Sequence, residues 1–327
     1  MNHPRLVSFL GVFIIGCGGG SSTPVDSGPH SDGPNLVDSA PGVDGSVNAC
    51  IGAYITTSIA TMRQGTKTGC FDFTNVVTLG VTPSTKSPRL FVQDAGGGDF
   101  SAIMTRCSST STVHPCTVAM TVAGIPDGHS VTIQGTYIKT AATTFEEFFI
   151  DTITDNGATA VPAPGTATLA QIARGGTATN LRFQRVSVTV AAADQLKMYD
   201  WTPAEFTNTT ATACAFQFGF GMIPKSVAGV TPGGACASGT AQPAGVAAPN
   251  PAEVLIGTDF FKTFTTSSDC RCAKMFMDME PAAASTLGGT ISGLLIFDVP
   301  FGTTTGHYYF APKTLADAPI TGTVAGM

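Results

Sequence analysis

The sequence predicts an all-β protein made of two tandem modules, and three observations support this prediction. Glycine and proline are abundant, with 38 and 21 of the 327 residues, and this composition favours many turns over long helices. Apolar and polar residues alternate in short runs, as they do in strands with one buried face. Apolar residues of the first half recur 110 positions later in the second half; for example, Ile59 corresponds to Leu169 and Phe73 to Phe183.

Composition also narrows the classes of function. Hydrophobic residues make up 43% of the chain and can supply real cores, whereas charged residues make up only 12%. The formal net charge is −6, so the chain has no excess of basic residues to neutralise phosphates. We therefore expect that nucleic acid is not the main partner, and we expect no cofactor.

The N-terminus is typical of an export signal. Arg5 provides a positive charge, and the apolar residues 6–15 are far fewer than the ~20 that a membrane span needs. This stretch ends in Ile14–Cys17, with the letters IIGC, which resembles the lipobox of bacterial lipoproteins. The resemblance implies a signal peptide at residues 1–16 and lipid on Cys17, which would anchor the protein in the cell envelope. We expect the outer membrane, on its periplasmic or surface face; an ordinary signal peptide is the alternative.

Residues 17–49 form a polar stretch of glycine, serine and proline that contains four regularly spaced aspartates. The aspartates recur at intervals of six residues: Asp26, Asp32, Asp38 and Asp44. Such a stretch buries too little apolar surface to offset the entropy cost of ordering it. The glycines and prolines between the aspartates prevent their carboxylates from converging on calcium. We expect a disordered tether between the membrane and the folded part.

Export would place the cysteines in an oxidising compartment, where an even number is typical of disulfides. Besides Cys17 there are eight, in two groups of four: Cys50, Cys70, Cys107, Cys116, Cys214, Cys236, Cys270 and Cys272. We expect each group to pair within its own module. In the first group, Cys107 and Cys116 flank a loop rich in serine and threonine and can pair, which leaves Cys50 with Cys70.

The second group contains the close pair Cys270 and Cys272. A bridge between these two would close a very tight ring, so we expect each to pair with Cys214 or Cys236 instead. A zinc site would need about four ligands, and no second close pair is present. We therefore expect no metal.

Each module begins with a short helix-like segment, Ile59–Gly65 or Leu169–Gly175, that ends at a glycine. A long strand follows. In the first module the apolar residues of this strand all lie on one face. In the second module they switch from one face to the other, which indicates a bulge or bend there. We expect a first domain at residues 50–160 and a second at residues 166–327.

Five strands with a long bent first strand resemble the OB-fold, a small Greek-key barrel. The segments Ile59–Gly65, Leu90–Asp94 and Val131–Gly135 are also similar to segments of OB-like modules in exported bacterial proteins. The resemblance implies two tandem OB-like barrels, each with a short helix at its start. It places Leu90–Asp94, and its echo Leu196–Asp200, in the second strand. A β-sandwich or jelly roll would give the same strand count and is the alternative.

The main departure from a minimal barrel is an insert at about residues 202–252 of the second module. Trp201, the only tryptophan of the chain, lies beside Tyr199 at the start of this insert, and Phe206 follows. Aromatic residues near the second strand of an OB barrel can stack on bases or sugars. Tyr199, Trp201 and Phe206 are therefore the candidate ligand site. The alternative is that Trp201 plugs the end of the barrel or packs against the insert, which is rich in alanine and proline.

No arrangement of residues predicts a catalytic site. Glu146 and Glu147 are neighbours in a strand, so their side chains point to opposite faces, and we expect them at a solvated strand edge. Asp94 and Asp99 flank three glycines in a turn, with too few oxygen ligands nearby for calcium. The histidines outside the signal and tether lie in predicted turns or at the start of a strand: His114, His129 and His307.

These features fit a membrane-anchored lipoprotein that binds a ligand or an envelope partner without catalysis. Low charge and abundant threonine and alanine favour a neutral polar partner, such as a glycan or another envelope protein. An exported hydrolase, or an accessory module of one, is the first alternative. Nucleic-acid or oligosaccharide binding through an OB face is the second, and similarity of fold does not choose among these functions.

Overall fold

The structure is a computed structural model that describes residues 50, 53–65, 68–111, 114–140, 145–200, 207–208, 216–217, 219–230, 249–257, 259–260, 285–298 and 306–321. The expected signal peptide and tether lie outside this part of the chain. Seven residues singled out by the sequence also lie outside it: Cys17, Trp201, Phe206, Cys214, Cys236, Cys270 and Cys272.

Six strands and two short helices are described in the first module. The strands are β1 (Ile55–Thr56), β2 (Gly69–Val81), β3 (Arg89–Gln93), β4 (Ala102–Arg106), β5 (His129–Thr140) and β6 (Phe145–Ala158). The helices are α1 (Ile59–Gln64) and α2 (Ala119–Gly124). The sequence predicted α1 but not α2.

The first module is a closed OB-like barrel. Strands β2, β3, β4, β6 and β5 are hydrogen-bonded in that order, and β5 returns to β2. The pair β4–β6 is parallel, whereas the other pairs of the ring are antiparallel. This is the Greek-key order of an OB-fold. Because the ring is closed, a sandwich and a jelly roll are excluded for this module.

Local sequence explains the start of this barrel. Ser58 begins α1, and its hydroxyl accepts a hydrogen bond from the Thr61 amide at 3.1 Å. The Asp94 carboxylate accepts from the amides of Ile59 and Ala60 at 2.9 and 3.0 Å. The turn after β3 thus orients the helix through Asp94, which satisfies helix amides rather than a cation.

The first strand bulges in this module as well, contrary to the single phase expected from its sequence. Asn75 has φ +55°, and the register of β2 against β5 shifts between Phe73 and Val76. Phe71, Phe73 and Val76 all enter the same core because of this shift. Asparagine tolerates the left-handed region better than most residues, which suits it to the bulge.

Eleven strands are described in the second module. They are β7 (Gly165–Ala167), β8 (Arg185–Val190), β9 (Leu196–Asp200), β10 (Thr207–Asn208), β11 (Phe216–Gln217), β12 (Gly219–Pro224), β13 (Val254–Gly257), β14 (Thr286–Leu287), β15 (Gly289–Asp298), β16 (His307–Ala311) and β17 (Ile320–Thr321). Helix α3 (Leu169–Ile172) precedes β8, and short 3₁₀ turns occur at Thr179–Leu181, Ala192–Asp194 and Leu315–Asp317.

The second module is a curled sheet with the same strand order. Strand β9 pairs with β12, β12 with β13, β13 with β16 in parallel, β16 with β15, and β15 with β8. β8 and β9 are the two halves of its first strand, and β14 and β15 are the two halves of its fourth. An edge strand parallel to the first strand and a following helix also occur in both modules, as β1 with α1 and as β7 with α3.

Two details of the second module differ from expectation. Leu196–Asp200 was expected to form the second strand, but its pairing with β12 makes it the second half of the first strand. The insert expected at residues 202–252 contains β12, which is a buried strand of the sheet. The strand was not predicted because Gly219–Pro224 is short and lies among residues rich in glycine and alanine.

Within the described residues, no helix is long and apolar enough to span a membrane.

Candidate functional site

The two barrels share a buried apolar cluster, termed here the seam. Phe91, Ala102 and Met104 point outward from β3 and β4 of the first barrel. They belong to one cluster with Leu294 and Ile296 of β15. Its other buried members are Leu79, Phe183, Leu255, Tyr309 and Ala311. The outer wall of one barrel is therefore packed against the other.

The seam covers a surface that OB-folds commonly use for ligands. That surface is formed by the second and third strands, which are β3 and β4 in the first barrel. Every residue of these two strands is buried except Arg106, which is partly buried. A nucleic acid or an oligosaccharide reaches this face only if the two barrels separate.

A buried ion pair fastens the seam on one side. Arg63, at the end of α1, is 1% exposed and donates from Nε to Oε2 of Glu146 over 2.6 Å. Its other nitrogens donate to the main-chain carbonyls of Ala102, Arg182 and Thr179 at 3.0, 3.3 and 3.2 Å. Because Arg182 and Thr179 belong to the second module, a single side chain ties both modules together.

Two phenylalanines with unusual backbone conformations enclose the Arg63 guanidinium. Its central carbon lies 5.5 Å from the ring centroid of Phe100 and 5.4 Å from that of Phe183, within reach of cation–π attraction. The φ angles are +61° at Phe100 and +66° at Phe183, a region that bulky residues avoid. Such strain persists only where its surroundings hold it, and here the surroundings include a buried arginine.

Two further cations complete this group, which is termed the Arg63 cluster. Arg182 donates from Nε to the Tyr308 hydroxyl at 2.9 Å, and its Nη1 lies 3.8 Å from Oε1 of Glu146. Lys139 donates to the main-chain carbonyl of Arg63 at 2.6 Å, and its Nζ lies 4.0 Å from Oε1 of Glu146. One carboxylate thus lies among three basic side chains in the junction of the two modules.

The neighbouring Glu147 points the other way, into a second ionic group. It pairs with Arg106, and Asp298 of the second module acts on its charge. Tyr309 donates to Oδ1 of Asp259 at 3.3 Å. Together with Arg89, these residues form the Glu147 cluster: Arg89, Arg106, Glu147, Asp259, Asp298 and Tyr309.

The expected solvated edge at Glu146 and Glu147 was wrong, because the seam buries both. Their side chains do point to opposite faces, as neighbours in a strand must. Burial, opposed mainly by Arg106, raises the pKa of Glu147 to about 7. Burial likewise raises the pKa of Asp259 to about 6.

Carboxyl groups with raised pKa often mark active sites, because catalytic acids and bases need a pKa near the working pH. In the Glu147 cluster, however, Glu147 and Asp259 are each 2% exposed and Asp298 is 3% exposed. Within the part of the chain that the structure describes, these carboxyls are buried. Their geometry is that of a junction between two barrels.

Of the three candidate ligand residues, Tyr199 is described, and it is buried. The ring is 6% exposed, and burial together with Glu253 and Asp200 raises the pKa of its hydroxyl. Arg174 donates from Nε to Oε2 of Glu253 at 2.9 Å, and burial nevertheless raises the pKa of Glu253 to about 7. Tyr199 thus lies beside a third ionic group, two residues before Trp201, and it offers little surface to a ligand.

The first group of cysteines pairs as the sequence predicted. Cys50 is bonded to Cys70 with a Cα–Cα distance of 5.7 Å, and Cys107 to Cys116 with a distance of 5.0 Å. The first bond fastens the beginning of the barrel to its first strand. The second closes the loop between β4 and α2. The second group of cysteines lies outside the described residues.

The described histidines lie apart from one another. His114 stacks on Phe149 with ring centroids 4.2 Å apart, and His129 approaches Asp155 at 2.9 Å. His307 begins β16, where burial lowers its pKa. Among the described residues, no group of three histidine, cysteine, aspartate or glutamate side chains is arranged to hold a metal ion.

Comparisons with known proteins do not assign this chain to a family. No family model and no curated protein matches it. Among solved structures, a protein described as an aspartyl-tRNA synthetase from Leishmania major Friedlin is similar, with a TM-score of 0.25 and 15% sequence identity. The match covers 37% of this chain and 24% of the length of that chain. A similarity at this TM-score carries no argument, so the OB-like fold is established by the strand order itself.

Proposed function

We propose that this chain is a lipid-anchored protein of the cell envelope whose two-barrel body binds a ligand or an envelope partner without catalysis. The observation that carries the proposal is the lipobox-like segment Ile14–Cys17, directly followed by the polar residues 17–49. A short apolar stretch, an acceptor cysteine and a hydrophilic spacer are the parts that an acylated anchor needs. Acyl chains add ~0.8 kcal/mol per buried CH₂, so two or more would hold the protein firmly on a membrane.

The two disulfides support the exported location. Such bonds persist in oxidising compartments and are rare in the reducing cytosol. Both of these described bonds lie in the first barrel, and they join residues that the fold brings together in any case. Both disulfides would form once the chain is exported to an oxidising compartment.

The ionic groups support a binding role rather than a catalytic one. Each of the Arg63 and Glu147 clusters contains residues of both modules, and their carboxyls are buried. Their ion pairs and hydrogen bonds join the barrels. The joined barrels would present their remaining outer surfaces at a distance from the membrane.

The anchor is tested with the variant Cys17→Ser, which keeps the size of the side chain but removes the thiol that accepts lipid. Cell fractions and the mass of the mature N-terminus are measured for the wild type and for the variant. We expect the wild type in the membrane fraction with an acylated N-terminus and the variant in the soluble fraction. The matched control is Ser22→Ala, a change of similar size in the tether. Membrane association of Cys17→Ser equal to that of the wild type would refute the proposed anchor.

A further inference from the structure

The part of the first barrel that the seam leaves open carries uncharged hydrogen-bonding side chains. They lie on β2, β5 and β6, at positions that alternate with core residues such as Val131 and Ile133. Six of them form what is termed here the polar face: Asn75, Thr132, Gln134, Thr152, Thr154 and Asn156. All six are exposed or half-buried.

The register of the strands aligns these side chains in rows. Thr132 lies opposite Thr154, and Gln134 lies opposite Thr152. Neighbouring strands are about 4.8 Å apart, and alternate residues of one strand are about 7 Å apart. The face is therefore a regular array of polar groups rather than a scatter of surface residues.

Hydrogen bonds within the polar face hold its side chains in place. Thr152 donates from Oγ1 to Oε1 of Gln134 at 3.1 Å. Asn156 donates from Nδ2 to Oγ1 of Thr132 at 3.1 Å and to Oδ1 of Asn75 at 3.3 Å. Side chains that are ordered before binding lose less conformational entropy when a ligand arrives.

Strand propensity alone does not explain the composition of this face. Threonine is common on exposed strands because its branched side chain suits them, but asparagine is depleted in strands. Here Asn75 occupies the bulge of β2 with φ +55°, and its carbonyl accepts from Asn156. Bulges often re-aim a side chain, and this one places an amide on the polar face.

One end of the polar face is aromatic. Phe149, on β6, is stacked with His114 at 4.2 Å between ring centroids, and both side chains are half-buried. Tyr54, also half-buried, donates from its hydroxyl to Oδ2 of Asp151 at 3.1 Å. Aromatic rings with polar edges suit contacts with a ligand that has both apolar and hydrated groups.

Charge decides between classes of ligand. Three acidic side chains lie among or beside those of the polar face: Asp72, Asp151 and Asp155. They accept or share hydrogen bonds with Thr56, Tyr54 and His129, respectively. Three carboxylates repel a phosphate-rich or uronic-acid polymer. They accept hydrogen bonds from hydroxyl groups, and the amides and threonines of the face both donate and accept.

We propose that the polar face of the first barrel binds a neutral polysaccharide. Sugar hydroxyls match its mixture of donors and acceptors, and the apolar C–H face of a sugar ring matches the aromatic end. This inference deepens the proposed binding function by naming the class of ligand, and it places the site on β2, β5 and β6 rather than beside Tyr199. It does not depend on the lipid anchor.

The test measures retention of the purified full-length protein, in detergent micelles, on insoluble cellulose, on chitin and on cross-linked alginate. We expect retention on at least one of the two neutral polymers and none on anionic alginate. The variants are Asn156→Ala and the double variant Thr132→Ala/Thr154→Ala, which remove hydrogen-bonding groups from exposed positions. Because a hydrogen bond contributes about 0.5–1.5 kcal/mol, each variant should weaken binding about 2- to 13-fold.

The matched control is Thr121→Ala, an exposed threonine of α2 that lies outside the polar face. It should bind like the wild type, and thermal unfolding should show that all variants remain folded. Retention on neither neutral polymer, preferential retention on alginate, or equal binding by wild type and face variants would overturn the proposal. The Cys17→Ser fractionation is independent of these results, so failure of the glycan site and failure of the anchor can be told apart.

Discussion

Replacing Glu147 with glutamine should remove much of the pH dependence of the protein's stability. Burial raises the pKa of Glu147 in the folded protein to about 7, whereas the ordinary pKa of a glutamate is 4.5. Between these values the folded state binds more protons than the unfolded state, so the free energy of unfolding falls as pH rises. The wild type should therefore be more stable at pH 5 than at pH 8.

The structure sets the size of this effect. Each unit of pKa difference corresponds to about 1.4 kcal/mol, so Glu147 alone accounts for about 3 kcal/mol between pH 4 and pH 8. Burial also raises the pKa of Asp259 to about 6 and that of Glu253 to about 7. These two carboxyls also destabilise the fold as they lose their protons between about pH 4 and pH 8. The variant should therefore keep part of the fall in stability with rising pH.

The assay is urea unfolding of the full-length protein with its disulfides intact, repeated at pH 5, 6, 7 and 8. Glu147→Gln should lose about 2.5 kcal/mol of the wild-type difference between pH 5 and pH 8. Its stability at any single pH is less informative, because the substitution also changes the partner of Arg106. The control is Asp99→Asn, an exposed carboxyl in a turn of the same barrel. A variant with the full wild-type slope would show that Glu147 is not buried in the seam.

Three further predictions concern the junction and the covalent frame. Arg63→Met should lower the free energy of unfolding by about 3–5 kcal/mol, because the buried carboxylate of Glu146 loses its closest ion pair and three main-chain carbonyls lose a donor. The matched variant Arg185→Met, at a partly buried position, should cost less than half as much. Cys107→Ser/Cys116→Ser should cost about 2–3 kcal/mol in urea unfolding at neutral pH, and an unchanged midpoint would contradict the bond. A protease site placed at residues 162–164 should leave the halves associated after cleavage; their separation in gel filtration would contradict the seam.

Part of this structure could be predicted from the sequence because local signals are repeated. The two helix-like starts and the spacing of landmark residues indicate two related modules, and the strand order is the same in both. The pairs Cys50–Cys70 and Cys107–Cys116 follow from proximity along the chain and from the expected oxidising compartment. These inferences require no knowledge of how the modules meet.

The seam could not be predicted in the same way, although the sequence contains a signal for it. Leu90–Val92, Leu294–Phe297 and Tyr308–Phe310 are uninterrupted apolar runs, which are typical of strands buried on both faces. Such runs indicate that a second layer exists, but they do not indicate which layer it is. The burial of Glu146 and Glu147 was missed for the same reason, because their cationic partners come from distant parts of the chain.

Pairing errors in the second module have a different physical cause. The segment Leu196–Asp200 resembles Leu90–Asp94 in its letters, but a strand's position in a sheet is decided by its partner and register. The short turn at Ala192–Asp194 divides the first strand, so Leu196–Asp200 pairs with β12 as a continuation of β8. Sequence similarity between short segments is a weak guide where a strand is broken in one copy.

The seam also changes what the OB-like fold implies about binding. An isolated OB barrel offers its second and third strands to a ligand, but here β3 and β4 are occupied by the second module. A surface that is buried between the two modules cannot also contact an external partner. For the proposed binding function, ligand contacts are then expected on walls that remain open, and the wall formed by β2, β5 and β6 of the first barrel carries ordered amides and threonines. The proposal therefore depends on the side chains of the exposed strands, and not on the fold that supports them.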